Sequence, residues 1–129
     1  MPNVLLIHDS KYAADTTVMQ ILSSQGIPAV SLDLIEFHPE YLLSEIFDLI
    51  IFELFGESWS CMLALYQLEC WSATSGIEHP PVIVVADENS GSIEQAVRTA
   101  KVNFYFIKPV VEAELISAIK HALLPYKQN

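Results

Sequence analysis

The chain has 129 residues, of which 52% are apolar and 17% charged, and its six Lys or Arg against 16 Asp or Glu give a formal net charge of −10. This length suits a single domain, which we predict over residues 1–129, and the apolar share excludes an intrinsically disordered chain. The acidic balance argues against direct binding of nucleic acid. No apolar run approaches the ~20 residues that a membrane span requires, so we expect no membrane partner either.

The two cysteines, Cys61 and Cys70, lie nine positions apart in one predicted helix. At 1.5 Å per residue this separation is roughly 13 Å, which is too long for a disulfide. The sequence has neither a CxxC motif nor paired histidines, so no zinc site is indicated. We therefore expect the reducing environment of the cytoplasm.

Five short apolar runs alternate with helical patterns along the chain. Four of the runs are continuous and rich in Val, Ile or aromatic residues, which is typical of strands covered on both faces of a parallel sheet. The runs are Val4–Ile7, Ile27–Leu32, Asp48–Phe52, Val82–Val85 and Phe104–Ile107.

Five helices are predicted between and after these strands. The first has Ala14, Val18, Ile21 and Leu22 at helical spacing and a stop at Gly26. The second begins at Pro39 and ends near Ser44, the third covers Trp59 to Trp71, and the last two centre on 93–100 and 115–123. The alternation of strand and helix predicts a doubly wound α/β domain with a parallel sheet.

In open parallel sheets, functional groups gather beyond the carboxyl ends of the strands. At the ends of four predicted strands stand acidic or basic residues or, in one case, an alanine next to an acidic residue. These residues are His8 and Asp9, Glu53, Ala86 and Asp87, and Lys108 before Pro109. They predict one shared crevice. The alternative is that polar residues simply begin where any strand ends and have no common function.

The sequence resembles the receiver domain of two-component response regulators from about Asn3 to Leu124. The resemblance lies in the segments 4–10, 47–53, 81–86 and 105–110, and its most specific part is Lys108-Pro109 before an amphipathic terminal helix. It implies a flavodoxin-like (βα)5 fold with strand order 2-1-3-4-5. It also implies a signalling module whose partner is a protein, such as a histidine kinase or an output protein.

The resemblance further implies a phosphoryl-transfer site on an aspartate. In the family, two acids after strand one and the acceptor aspartate hold Mg²⁺, while a Ser or Thr hydroxyl and a lysine bind the phosphoryl oxygens. The metal and the lysine offset the negative charge that phosphoryl transfer spreads over those oxygens. Of the five positions, only Asp9 and Lys108 match here.

The other three positions depart from the pattern. Glu53 replaces the acceptor and places its carboxylate roughly 1.5 Å further out, a displacement that can cost about a hundredfold in rate. Ala86 has no hydroxyl, and the His8 imidazole suits zinc or copper better than Mg²⁺. We therefore predict a degenerate receiver, or pseudo-receiver. It is expected not to be an enzyme, to need no cofactor, and to bind Mg²⁺ at most weakly at Asp9 and Glu53.

Several alternatives stay open at this crevice. The chain could be a working phosphorelay receiver that accepts phosphate on Asp9 or Asp87. It could instead be a flavodoxin-like binder of a small ligand, although the loop after strand one lacks the glycines that cradle a phosphate. Glu53 could mimic a phosphorylated aspartate, but a carboxylate offers one charge and two oxygens against nearly two charges and three oxygens. Lys108 is expected to pair with Asp9, Glu53 or Asp87.

Two further features indicate protein interaction. Tyr105 matches the aromatic residue that switches position in receivers, although a core or surface aromatic is an equal alternative. The third helix has few polar residues, so part of its surface could be covered by a partner or a second copy. Trp59, Tyr66 and Trp71 are the candidate anchors. The alternative is that the helix is packed under the connection at 72–79. The resemblance itself implies that helix four, strand five and helix five form a face for partners and dimers.

Overall fold

The computed structural model describes residues 3–8, 17–54, 59–88 and 91–127, without the side chains of 59–61 and 125–127. The strands are β1 (Val4–His8), β2 (Ala29–Asp33), β3 (Leu49–Leu54), β4 (Val82–Ala86) and β5 (Phe104–Ile107). The helices are α1 (Thr17–Ser24), α2 (Trp59–Ser75), α3 (Gly91–Thr99) and α4 (Glu112–Lys127). None of these described helices is both long enough and apolar enough to cross a bilayer.

All five strands are parallel and lie in the order β2-β1-β3-β4-β5, so the predicted fold class is confirmed. β3 and β4 are buried along their whole length, as is typical of parallel strands that are covered on both faces. β3 extends two residues beyond the predicted run, so Glu53 lies inside the strand instead of after it.

The core has two halves, one on each face of the sheet, because successive side chains of a strand point to opposite faces. Leu5 and Ile7 of β1 pack on the face covered by α2 and α3. Val4 and Leu6 pack on the face covered by α1 and α4.

The second predicted helix is wrong as an α-helix. The connection from β2 to β3 instead contains two 3₁₀ segments, Leu34–Glu36 and Pro39–Leu43. Its backbone bonds run from Tyr41 N to His38 O (2.8 Å) and from Ser44 N to Tyr41 O (3.2 Å), which is the i to i+3 pattern. A segment of one turn is too short to offset the cost of helix nucleation, so the tighter turn prevails.

The first helix ends at the predicted stop. Gly26 has a φ of +65°, the left-handed conformation that glycine adopts without steric cost. The amide of Ile27 donates to the carbonyl of Leu22 at 3.0 Å and so closes the last turn. The third predicted helix, now α2, extends past Trp71 to Ser75 and ends before Gly76, whose φ is +75°.

Candidate functional site

The parallel register places the predicted strand-end residues along one edge of the sheet. His8 stands directly opposite Glu53 on the neighbouring strand. The amide of Asp87 donates to the carbonyl of Leu54 (3.2 Å), and the amide of Lys108 donates to the carbonyl of Ala86 (2.8 Å). The backbone therefore continues the pairing one residue beyond each strand and fixes where these side chains begin.

Five of the six predicted pocket residues thus share the carboxyl edge of the sheet, and we refer to them as the cleft. The sixth, Asp9, lies outside the described residues. The cleft consists of His8, Glu53, Ala86, Asp87 and Lys108.

A nearly buried ion pair occupies the centre of the cleft. Lys108 Nζ donates to Glu53 Oε2 at 2.9 Å. The side chains are only 15% and 5% exposed, respectively. Of the three partners that the sequence allowed for this lysine, the structure places Glu53 against it. Removal from water strengthens the attraction within such a pair but also makes each charge costly on its own.

His8 is bonded to the strand on its other side. Its Nε2 lies 2.7 Å from the hydroxyl oxygen of Ser31 on β2. Ser31 was not among the residues predicted from the sequence. The pattern that could have found it is strand parity, because Leu6 pairs with Ser31 in the register and His8 lies two residues along the same face.

The remaining two cleft residues differ in burial. Ala86 is fully buried and offers only a methyl group where a hydroxyl would be needed to hold a phosphoryl oxygen. Asp87, the next residue, is exposed at the end of β4. The cleft therefore has an accessible carboxylate at its rim and a buried, paired carboxylate at its centre.

The described residues do not form a Mg²⁺ site. Nowhere in the described ranges do three His, Cys, Asp or Glu side chains come close enough to hold one metal ion. Mg²⁺ requires near-octahedral oxygen ligands, whereas Glu53 contacts an ammonium group and His8 contacts a hydroxyl. In this part of the cleft, the carboxylate of Glu53 is therefore occupied by the ammonium group of Lys108 instead of being directed at a metal ion.

A cavity of about 410 Å³ lies beside the ion pair. It is lined by Thr17 and Val18 at the start of α1, and by Lys108, Pro109 and Val110 after β5. Its described walls are mainly apolar apart from Thr17 and Lys108, and Lys108 points its ammonium at Glu53. The side chains described along its walls therefore do not supply a cluster of donors that would fix a phosphate.

Tyr105 is half-buried on β5 and packs against the core half that contains α2 and α3. Burial raises the pKa of its phenol above the ordinary value of 10.0, and the nearby carboxylate of Glu94 on α3 raises it further. The phenol therefore stays neutral over the physiological range, and the side chain lies between β5 and α3.

The candidate anchors on α2 are only partly exposed. Tyr66 is half-buried and contacts the core, and Trp71 is half-buried as well. The side chain of Trp59 lies outside the described residues. Leu63, in contrast, is 53% exposed, whereas Leu65 and Leu68 are buried. One side of α2 therefore belongs to the core and the other faces outward, and the role of these residues as anchors for a partner stays a prediction.

No family model and no curated protein matches the sequence, but solved structures match the fold. A CheY-like receiver domain protein from Methanospirillum hungatei JF-1 superposes with a TM-score of 0.74 at 21% identity, covering 99% of this chain and 98% of its own. The chemotaxis protein CheY4 of Vibrio cholerae gives 0.71 at 18% identity, with coverages of 95% and 99%. The chain has the receiver fold.

A third receiver domain, from a putative Luxo repressor protein of Vibrio parahaemolyticus, gives a TM-score of 0.73 at 19% identity and covers 98% of this chain and 93% of its own. At such identities the likeness establishes the architecture. The chemistry of the cleft depends on the residues in it.

Proposed function

We propose that this chain is a receiver-like signalling module that works by binding other proteins and is not phosphorylated, because Glu53 and Ala86 replace the acceptor aspartate and the hydroxyl residue. The fold and its receiver neighbours support a signalling role. The partner would be a histidine kinase or an output protein, in the cytoplasm. In this proposal the chain is not an enzyme, and it degenerated by losing the groups that react.

The observation that carries the proposal is the contact between Lys108 and Glu53. Phosphoryl transfer needs a cation directed at the oxygens of the transferred group and a nucleophile held in line. Here the ammonium is directed at the would-be nucleophile itself, at 2.9 Å. Both side chains are largely withdrawn from water, so solvent does little to loosen the pair.

The pair is also expensive to open. Removing one partner of a buried ion pair typically costs about 3–5 kcal/mol, because the other charge stays buried without a partner. The methyl group of Ala86 cannot donate a hydrogen bond to the carboxylate of Glu53 if Lys108 moves away. The cleft would then be a fixed structural element, and recognition would occur on outer surfaces instead.

The direct test is exposure to Mg²⁺ with acetyl phosphate, and separately with beryllofluoride, followed by intact mass spectrometry and a magnesium titration by calorimetry. We expect no mass increase and no saturable heat. Restoring three groups together, with Glu53→Asp, Ala86→Thr and His8→Asp, should recover metal affinity. The pair of Glu53→Asp with Ala86→Thr alone isolates the effect of His8, and normal Mg²⁺ binding by that pair would refute the role assigned to the imidazole.

The alternative that the structure favours most is phosphate acceptance on Asp87, because its side chain is exposed at the rim. A stoichiometric adduct on the parent chain would overturn the proposal at whichever residue it formed. Peptide mapping, with Asp87→Asn and Asp9→Asn as variants, would assign it. The flavodoxin-like alternative would return if the purified protein carried a bound nucleotide or a yellow flavin.

A further inference from the structure

A second group of ionisable side chains lies at the amino edge of the sheet, the edge at which the strands begin. It lines a cavity of about 420 Å³ beside the last turns of α2 and the residues that precede β4 and β5. Its charged or ionisable members are Glu69, Glu78, His79 and Lys101. All four lie outside the cleft, so the function proposed above makes no use of them.

The imidazole of His79 is held in one orientation. The side chain is only 15% exposed, and its Nδ1 lies 2.7 Å from the carbonyl oxygen of Pro80. Because a carbonyl oxygen only accepts hydrogen bonds, the hydrogen of the neutral ring is on Nδ1, and Nε2 presents a lone pair. A bond from Nδ1–H to a backbone carbonyl is also the arrangement that orients histidines whose Nε2 binds a metal ion.

The lone pair of Nε2 faces a second acceptor. Glu69 Oε2 lies 3.5 Å away, and a carboxylate has no hydrogen to donate. The ammonium group of Lys101 lies 4.0 Å from Oε1 of the same carboxylate, and the lysine side chain is 82% exposed. Lys101 therefore approaches the carboxylate at a different oxygen, and His79 and Glu69 together offer two lone pairs to a single cation.

The distance of 3.5 Å between the two acceptors selects the kind of cation. Zn²⁺ binds imidazole nitrogen at about 2.0–2.1 Å and carboxylate oxygen at about 2.0–2.2 Å, so two such ligands at the tetrahedral angle lie about 3.3–3.5 Å apart. A proton on Nε2 would give a charged hydrogen bond of about 2.7–2.9 Å. An ammonium group that donated to both acceptors would hold them about 4.7 Å apart. Mg²⁺, with octahedral ligands, would bring them to about 2.9 Å.

We propose that His79 Nε2 and Glu69 Oε2 bind one transition-metal ion of the Zn²⁺ class, with water completing the tetrahedron. Imidazole nitrogen with carboxylate oxygen is a donor set that suits zinc. Glu78 lines the same cavity, and its carboxylate adds negative charge near the ion. No third His, Cys, Asp or Glu of the described ranges completes the set, so the site is an open one that keeps positions for water.

Sequence spacing does not indicate this site. Glu69 is on α2 and His79 precedes β4, ten residues further along the chain. The turn of the chain after α2 brings them together, whereas zinc motifs that can be found in a sequence have their ligands two to five residues apart.

The test is a zinc titration of the intact chain by isothermal titration calorimetry. Cys61→Ser and Cys70→Ser are introduced into all chains so that thiolates do not compete for the metal. The otherwise unchanged chain should bind one Zn²⁺ saturably. His79→Gln and Glu69→Gln should each weaken binding by about tenfold or more, because even the loss of a group that only orients a ligand costs that much.

His38→Gln is the matched control. His38 also directly precedes a proline, but it is exposed and its side chain makes no cap bond to the 3₁₀ segment that follows. Its loss should leave zinc affinity unchanged. Absence of saturable binding, or a His79→Gln variant that binds as tightly as its parent, overturns the proposal. Loss of binding through His38→Gln would place the metal elsewhere and overturn it as well.

Lys101→Ala gives a test of opposite sign. It removes a cation that attracts the same carboxylate and repels the metal ion, so zinc binding should tighten by about two- to fivefold at low salt. Lys120→Ala is its control, since Lys120 is exposed on α4 and does not line this cavity. Weaker binding by Lys101→Ala would contradict the assignment of Glu69 as a ligand. Displacement of zinc by excess Mg²⁺ would contradict the tetrahedral geometry.

Nitrogen-15 NMR of the imidazoles tests the geometry before metal is added. At mildly alkaline pH, His79 should carry its hydrogen on Nδ1, and zinc should then shift its Nε2 resonance while that of His38 stays in place. A hydrogen on Nε2 of His79 overturns the proposal. The site goes beyond the proposed function: a phosphoryl adduct would end that function and leave the zinc site standing, and a chain that binds no zinc would do the reverse.

Discussion

Two groups of acidic and basic side chains lie at opposite edges of the same sheet and differ in the length of their contacts and in the exposure of their lysines. At the carboxyl edge, Glu53 and Lys108 form one short contact of 2.9 Å in a largely buried setting. At the amino edge, Glu69 lies 3.5 Å from His79 Nε2 and 4.0 Å from Lys101 Nζ, around a cavity of about 420 Å³. Lys101 is 82% exposed there.

The difference shows that burial decides what such a contact does. Near the surface, solvent screens the charges and the long side chains lose entropy when they are held, so an ion pair stabilises by about 0–1 kcal/mol. In the interior, each charge depends on its partner, and the pair acts as a single unit. The carboxyl-edge pair is therefore a structural constraint on the cleft, whereas Lys101 makes only a loose surface contact at the amino edge.

The largest expected effect follows from breaking the buried pair on one side. Lys108→Ala leaves the Glu53 carboxylate in the core without its ammonium partner, and we expect a loss of about 3–5 kcal/mol in the free energy of unfolding. Urea denaturation followed by circular dichroism at neutral pH measures this loss.

The matched control for that experiment is Lys101→Ala at the other edge. It also removes an ammonium group near a glutamate, but from an exposed position, so the free energy of unfolding should change by less than about 1 kcal/mol. Equal losses from the two alanine variants would contradict the contrast between the edges.

Replacing both members of the buried pair should have a smaller effect than removing one. Glu53→Met together with Lys108→Met fills a similar volume without any buried charge. We expect the free energy of unfolding of the double variant to lie no more than about 1 kcal/mol below that of the parent. The attraction between the paired charges gains little beyond the cost of removing both from water. Thermal unfolding of the parent, both single variants and the double variant gives the coupling energy. A double variant as unstable as Lys108→Ala would show that the site needs the polar groups themselves.

The sequence was sufficient for these strands because their apolar runs are continuous and rich in β-branched or aromatic residues, and the runs lie where β1, β3, β4 and β5 are found. It failed for the segment after Pro39, where one turn has too few residues for periodicity to separate an α-helix from a 3₁₀ helix.

In the cleft, strand ends predicted which residues would meet, since parallel strands bring their carboxyl ends to one edge. The pairing of Lys108 with Glu53, and of His8 with Ser31, depends on side-chain reach and register between distant segments. Strand parity narrows the neighbours of His8 once the register is known, but neither the register nor the reach of the side chains can be derived from a local pattern in the sequence.

The smallest effect concerns Tyr105, whose phenol is partly buried. The nearby carboxylate of Glu94 is negative, and so is the phenolate that forms when the phenol ionises. Burial and then Glu94 raise the pKa of its phenol, so the folded chain keeps this proton at a pH where the unfolded chain has lost it. This contribution to stability is complete below the ordinary value of 10.0 and is lost as the pH rises from there through the folded pKa. Glu94→Gln should therefore lower the pKa of Tyr105 without removing the part due to burial.

Arg98→Gln should act in the opposite direction, because it removes the guanidinium that pairs with Glu94 one turn away and leaves that carboxylate less neutralised. Absorbance at 295 nm, with Tyr105→Phe to assign the signal, follows the phenolate in each variant. Movement of the two variants in the same direction would show that Glu94 does not act on Tyr105 through its charge. Desolvation alone would then explain the raised pKa, as it does for any acid withdrawn from water.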